Sequence, residues 1–214
     1  MAVGFTNIFD DILGLSNLDG DIGCGSRLHT SDEPRISGGE AAHPGKYPWM
    51  AAMLDRSNKK WRCGGSLISD RHVLTAAHCA FGIDIDDIEV RLGETDLNTK
   101  FDCFDVEDCT DSRECFNEGK CAEPHQSRRI KEIRINPNYK NEAEKLEERT
   151  NDLAVIELDR RVFRTKTVIP VCLPSPSQIK NLRDPSPNNL FFVAGYGKTS
   201  NNAIADVLQE AQVK

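Results

Sequence analysis

The stretch Val73-Leu74-Thr75-Ala76-Ala77-His78-Cys79 constrains this chain more than any other. An apolar pair, three small residues and a histidine beside a cysteine describe a buried strand that ends in a tight turn presenting one imidazole. Cys63 opens the preceding loop, Cys63-Gly64-Gly65-Ser66-Leu67-Ile68. A bridge reaching back from Cys79 to Cys63 would close so short a loop that it stabilises by roughly 3 kcal/mol and fixes where His78 points. His78 is then a candidate general base.

At 214 residues the chain is long enough for one large all-β domain or two small ones. Its net charge of -7 argues against a nucleic-acid partner, which needs a net basic face. Eight cysteines, with no Cys-x-x-Cys pair, read as disulfides formed in an oxidising, extracellular compartment rather than as metal ligands. Met1 to Ser16 has no basic start, and Asp10 and Asp11 interrupt its apolar residues, so it is not a signal peptide. A secreted protein without a signal is expected to be a fragment whose true N-terminus lies upstream. No stretch is long enough to span a membrane.

Residues 1–35 have the polar, acidic, Gly-dotted composition of a linker or pro-segment, with Cys24 embedded in it. Beyond the turn chemistry of residues 42–49, short apolar segments follow one another: Met50 to Leu54, Trp61 to Ser69, Val73 to Ala76, Ile88 to Leu92, Arg129 to Asn136 and Leu153 to Leu158. Six short strands with little helical periodicity predict a closed barrel or a sandwich. Between them, residues 102–122 carry Cys103, Cys109, Cys115 and Cys121 among acidic and polar residues. With so few apolar side chains this insertion reads as a surface lobe stapled by its own disulfides, their pairing open among three connectivities. The charged run Asn141 to Arg149 reads as a solvated loop with some helical tendency.

Val73 to Cys79 resembles the first motif of trypsin-like serine proteases, Leu/Val-Thr-Ala-Ala-His-Cys. Asn151-Asp152-Leu153-Ala154 resembles the family's Asn-Asp-Ile/Leu-Ala, and Arg35-Ile36-Ser37-Gly38-Gly39 its activation site, with Ser37 where Val is usual. The resemblance selects the barrel. It implies an all-β, chymotrypsin-like double β-barrel of which the first antiparallel barrel (36–168) and the crossover and first hairpin of the second (169–214) are present. It also makes His78 and Asp152 two members of a Ser-His-Asp triad, in which the aspartate orients the histidine and stabilises its charged form.

Further expectations come from the same resemblance. Cleavage between Arg35 and Ile36 by an upstream activating protease would convert a zymogen, and Cys24 would pair with Cys172 so that the leading segment stays attached. Arg91 to Leu97 resembles the loop where Glu94 and Asp96 can hold calcium, with Glu107 and Asp108 as possible further ligands. Phe191 to Gly197 and Val207 to Ala211 resemble the first two strands of the second barrel, with Tyr196 where Trp is usual. The cysteine insertion resembles those of arthropod extracellular cascade proteases and suits partner recognition. Protein substrates and a serpin-type inhibitor are the implied partners, no cofactor is required, and the acidic run 141–149 would favour basic residues before the scissile bond.

The family's nucleophile motif, Gly-Asp-Ser-Gly-Gly-Pro, does not occur in the 214 residues. Ser66 follows two glycines but lies in a barrel strand. The expected function is therefore a secreted trypsin-like endopeptidase zymogen whose serine lies outside this fragment, the chain as it stands being inactive. The alternatives are a non-catalytic homologue acting as a regulatory or binding protein and, more weakly, a metal-binding or growth-factor-like module built on the cysteine lobe.

Overall fold

A computed structural model describes residues 23–26, 40–104, 112–118, 120–141, 150–175, 178, 191–197 and 205–213. The strands are β1 (Glu40–Ala41), β2 (Met50–Asp55), β3 (Trp61–Ser69), β4 (His72–Thr75), β5 (Ile88–Leu92), β6 (Gln126–Ile135), β7 (Ala154–Leu158), β8 (Phe191–Gly195) and β9 (Gln209–Val213). Short helices α1 (Ala77–Ala80) and α2 (Ser112–Asn117) and a 3-10 turn at Ile85–Asp87 accompany them among the described residues.

Six strands close into an antiparallel barrel in the order β2-β3-β4-β7-β6-β5, the one of the two architectures open to the apolar segments that the family resemblance selected. Alternation decides which side chains fill it. On β5, Ile88, Val90 and Leu92 point inward while Glu89 and Arg91 point out; Leu67, Val73, Ile156 and Leu158 meet them from the other strands. Complete burial of each such side chain stabilises by roughly 1.5–3 kcal/mol. Where β3 and β4 pair, a Cβ on Gly65 would come within 2.7 Å of Val73 Cγ1 and 2.8 Å of the Leu74 carbonyl oxygen, so a side chain there would force the strands apart.

β2 does not alternate, because both of its faces are covered. Ala51 and Met53 belong to the barrel interior, whereas Met50, Ala52 and Leu54 pack outward against Tyr47, Tyr196 and Leu208. Tyr196 and Leu208 adjoin the strands of a second sheet, order β1-β9-β8. The expected hairpin is β8 with β9, and it meets the barrel on this outer face of β2; β1, which extends the hairpin into a third strand, was not foreseen.

The cysteine insertion is closed at its base by a Cys103–Cys121 disulfide, flanked by the Phe104 N–H bond to the Lys120 carbonyl (2.9 Å) and the Ala122 N–H bond to Asp102 (2.7 Å). Cys115 is also disulfide-bonded, and Cys109 lies outside the described residues. The lobe packs more than its composition suggested: Phe116 of α2 stacks on Phe101 with ring centroids 4.8 Å apart, beside buried Cys115 and Cys121. The loop 142–149 lies outside the described residues. Among the described residues no helix is long and apolar enough to cross a membrane.

Candidate active site

The register of two barrel strands brings the two predicted site residues together. β4 and β7 run antiparallel with Thr75 opposite Ala154. Continuing that register past the strand ends sets Asp152 opposite Ala77, one residue from His78. The chain converts this proximity into contact by coiling into α1, so the imidazole sits on one helical turn rather than on the plain turn the sequence suggested.

Four constraints hold that helix. Thr75 Oγ1 donates to the Gly64 carbonyl at 2.8 Å and ties the end of β4 to β3. Cys79 is bridged to Cys63 of β3, with Cα atoms 6.0 Å apart, as expected. Ala77 and Ala80 are buried against Ala154, Ile133, Ile135 and Tyr139. Phe81, just past α1, meets Tyr139 edge-on at 6.0 Å.

Asp152 adds a fifth constraint through its carboxylate. Oδ1 accepts the backbone N–H of His78 at 2.8 Å, and Oδ2 lies 2.7 Å from the imidazole Nδ1. A carboxylate accepts and does not donate, so Nδ1 carries the proton and Nε2 is left as the basic nitrogen. The His78 side chain is 36% exposed and that of Asp152 23%, so the pair is open on the imidazole side and sheltered on the carboxylate side. Asp152 is held in turn by its neighbours: Asn151 adopts a left-handed conformation (φ 57°) and its side-chain amide donates to the Asn138 carbonyl at 3.2 Å.

Cys63, His78 and Cys79 offer three potential metal ligands close together. The two sulfurs are joined to each other, so there are no thiolates, and the group is an imidazole resting beside a disulfide, with Nε2 3.4 Å from Cys79 Sγ.

The calcium expectation at Glu94 and Asp96 does not fit the donors present. Glu94 Oε2 is taken by Arg91 Nη1 at 3.1 Å and by His125 Nδ1 at 3.0 Å. Asp96 Oδ1 accepts from the Asn98 N–H at 3.0 Å. The backbone carbonyls of Glu94, Thr95 and Asp96 accept from Tyr196 Oη, the Leu208 N–H and the Thr99 N–H. Calcium needs six or more oxygens converging on one point, and the loop is instead closed by its own hydrogen bonds. Asp102 shares in this, accepting from the N–H groups of Thr95 (2.6 Å) and Asp96 (3.1 Å). Burial, then the Glu94 charge, push its carboxyl above the usual range despite these bonds. Glu107 and Asp108 lie outside the described residues. Sequence reasoning missed the roles of Arg91 and His125, although Arg91 could have been placed beside Glu89 by strand alternation.

The leading segment is tethered as expected. Cys24 is disulfide-bonded to Cys172, and the Gly25 N–H donates to the Pro170 carbonyl at 2.8 Å. Arg35 and Ile36 lie outside the described residues.

Known proteins resemble this chain in sequence and fold. The Trypsin family profile matches residues 36–115 and 117–214. Phenoloxidase-activating factor 3 of Holotrichia diomphalia is 39% identical over 188 residues, covering 85% of this chain and 48% of that protein. Serine protease grass of Drosophila melanogaster is 32% identical over 197 residues, covering 91% and 47%. The crystal structure of the Drosophila Grass clip serine protease of the Toll pathway superposes with a TM-score of 0.67 at 31% identity, covering 91% of this chain and 50% of that one. The chain thus spans about half the length of the curated relatives it matches. With a barrel, a histidine-aspartate pair and a sequence profile in agreement, the chain belongs to the trypsin family of serine proteases, among the insect cascade type.

Proposed function

We propose that this chain forms the histidine-aspartate half of a secreted serine endopeptidase, made as a zymogen and activated by cleavage between Arg35 and Ile36. The observation that carries this reading is the double hold of Asp152 on His78, through the backbone N–H and through Nδ1. A barrel rim needs no such pair for stability. A general base does, because it must keep one tautomer and one orientation while its other nitrogen takes a proton.

In this reading His78 Nε2 takes the proton of a serine hydroxyl as that oxygen attacks the peptide carbonyl, then returns it to the leaving amine; Asp152 stabilises the imidazolium between the two steps. The serine and the oxyanion donors lie outside the 214 residues, and no cofactor is needed. The Cys24–Cys172 bridge keeps the leading segment on the barrel after cleavage. Protein substrates and an upstream activating protease are the corresponding partners, and the disulfides suit a secreted setting.

The test is made on the longer protein read from the source transcript. After cleavage at Arg35 it should react with a fluorophosphonate serine probe and hydrolyse peptide substrates, and Asp152→Asn should lower kcat by about 10⁴. A cleaved, folded protein with a serine motif that neither labels nor hydrolyses sinks the enzyme reading and favours the non-catalytic homologue.

A further inference from the structure

The end of the barrel away from His78 carries a cleft of about 440 Å³ whose lining includes Arg56, Arg128, Arg129 and Arg160, with Glu89 and Asp159. Asp152 precedes β7 and Asp159 follows it, so this cleft lies about 20 Å along the strand direction from the histidine-aspartate pair. Substrate bound at His78 does not account for it.

Charges in the cleft do not cancel. Glu89 is already engaged by Lys59, Arg91 (2.9 Å) and Ser127 (2.7 Å). Asp159 Oδ1 accepts the Arg129 backbone N–H at 3.2 Å. Among the described residues none of the four arginines is ion-paired with a carboxylate. Arg56 donates to the Asp86 carbonyl at 2.6 Å, and Arg128, only 6% exposed, reaches the Arg161 and Ser127 carbonyls and Gln126 Oε1. Neutral oxygens orient these guanidinium groups without neutralising them. Burial, and then the neighbouring Arg160 charge, pull Arg128 below the ordinary arginine range, a cost that a bound anion would relieve.

We propose that this cleft is a docking surface for a short acidic segment of a protein partner, its Asp and Glu carboxylates paired with Arg129, Arg160 and the oriented Arg56, over the buried charge of Arg128. Guanidinium forks match carboxylates two bonds at a time, which lysines do not. The length of the ligand is set by the surroundings. The chain as a whole carries a net charge of -7, so a long polyanion would run off the cleft onto repelling surface. A short segment feels only the field within a Debye length of about 8 Å. Fixed carboxylates of Glu89 and Asp159 in the lining likewise favour separated carboxylates over a uniformly sulfated polysaccharide. This surface stands independently of the catalytic reading.

Titration of the 214-residue chain with a fluorescein-labelled oligoglutamate peptide tests the assignment by anisotropy. The peptide should bind, and the affinity should fall about tenfold or more as salt rises from about 50 mM to about 500 mM. Arg129→Glu with Arg160→Glu, both exposed side chains, should weaken binding by a further tenfold or more, about what reversing two close pairs costs. Lys100→Glu with Lys140→Glu changes net charge equally at exposed positions outside the cleft and should leave binding within about twofold. Thermal unfolding confirms that both double variants fold. No oligoglutamate binding, equal weakening by both pairs, or loss of neither overturns the proposal. Arginine-dependent binding of a heparin-derived oligosaccharide in place of the peptide overturns it in favour of a polysaccharide site.

Discussion

Asp152 grips His78 at two points, the backbone N–H at 2.8 Å and the imidazole Nδ1 at 2.7 Å, so a single carboxylate fixes both the helical turn and the ring it carries. Asp152→Asn keeps the size and one acceptor oxygen but cannot accept at both points. We expect a loss of about 1–2 kcal/mol in stability, from the charge-assisted bonds, and a shift of the His78 proton toward Nε2. Urea unfolding reads the first and ¹⁵N NMR of the imidazole the second. An unchanged tautomer would show that the orientation of His78 does not depend on Asp152.

Removing the Cys63–Cys79 bridge tests the other anchor of α1. The disulfide closes a separation of 16 residues, which corresponds to roughly 3 kcal/mol of lost unfolded-state freedom. Cys63→Ala with Cys79→Ala should lower stability by about that much and loosen His78. Amide exchange should therefore accelerate at Ala77–Ala80 more than in β5, which pairs with β2 and β6 and not with the bridged strand β3.

How much of this was legible in the sequence depended on the range of the cause. Ile88, Val90 and Leu92 alternate with charged residues, and local alternation suffices to place a half-buried strand. His78 and Asp152 lie far apart in the chain, and only the resemblance to a known motif joined them; the β4–β7 register that unites them is visible only in the fold. β1 is two residues long and owes its existence to its partner β9, so nothing within Glu40-Ala41 announced it. Glu94 read as a calcium ligand from the resemblance of its loop, while His125, which competes for its carboxylate, arrives from the far side of the insertion. The stacking of Phe101 on Phe116 was likewise not legible in the composition of the insertion, which read as too poor in apolar side chains to pack.

Glu89 predicts how the barrel responds to acid. Burial alone would raise its carboxyl, but hydrogen bonds from Lys59, Arg91 and Ser127 outweigh that and hold it at about 2, against an ordinary value of 4.5. A folded-state value below the unfolded one means that protons bind the unfolded chain more readily. The stabilisation is therefore complete above pH 4.5 and is lost as pH falls toward 2. Urea midpoints measured across that range should decline, and Glu89→Gln should flatten this part of the decline. An equal slope in the variant would assign the acid sensitivity to other carboxylates.

Tyr196 reports on the seam between the barrel and the second sheet. Its ring is 3% exposed among Tyr47, Met50 and Leu208, and its hydroxyl donates to the Glu94 carbonyl at 2.5 Å. Burial, with the nearby charges of Glu94, Asp102 and Asp96, drives the phenol well above its usual titration range, so it remains a donor throughout. Tyr196→Phe preserves the packing and strands a buried carbonyl. The expected cost is about 1–3 kcal/mol, because the acceptor loses its partner without regaining water. Tyr196→Ala should cost more, about 3–5 kcal/mol, by adding a cavity. If the phenylalanine variant matched the parent in urea, the hydroxyl would be dispensable, and the seam would be held by apolar contact across the outer face of β2 together with backbone bonds such as that from the Leu208 N–H to the Thr95 carbonyl.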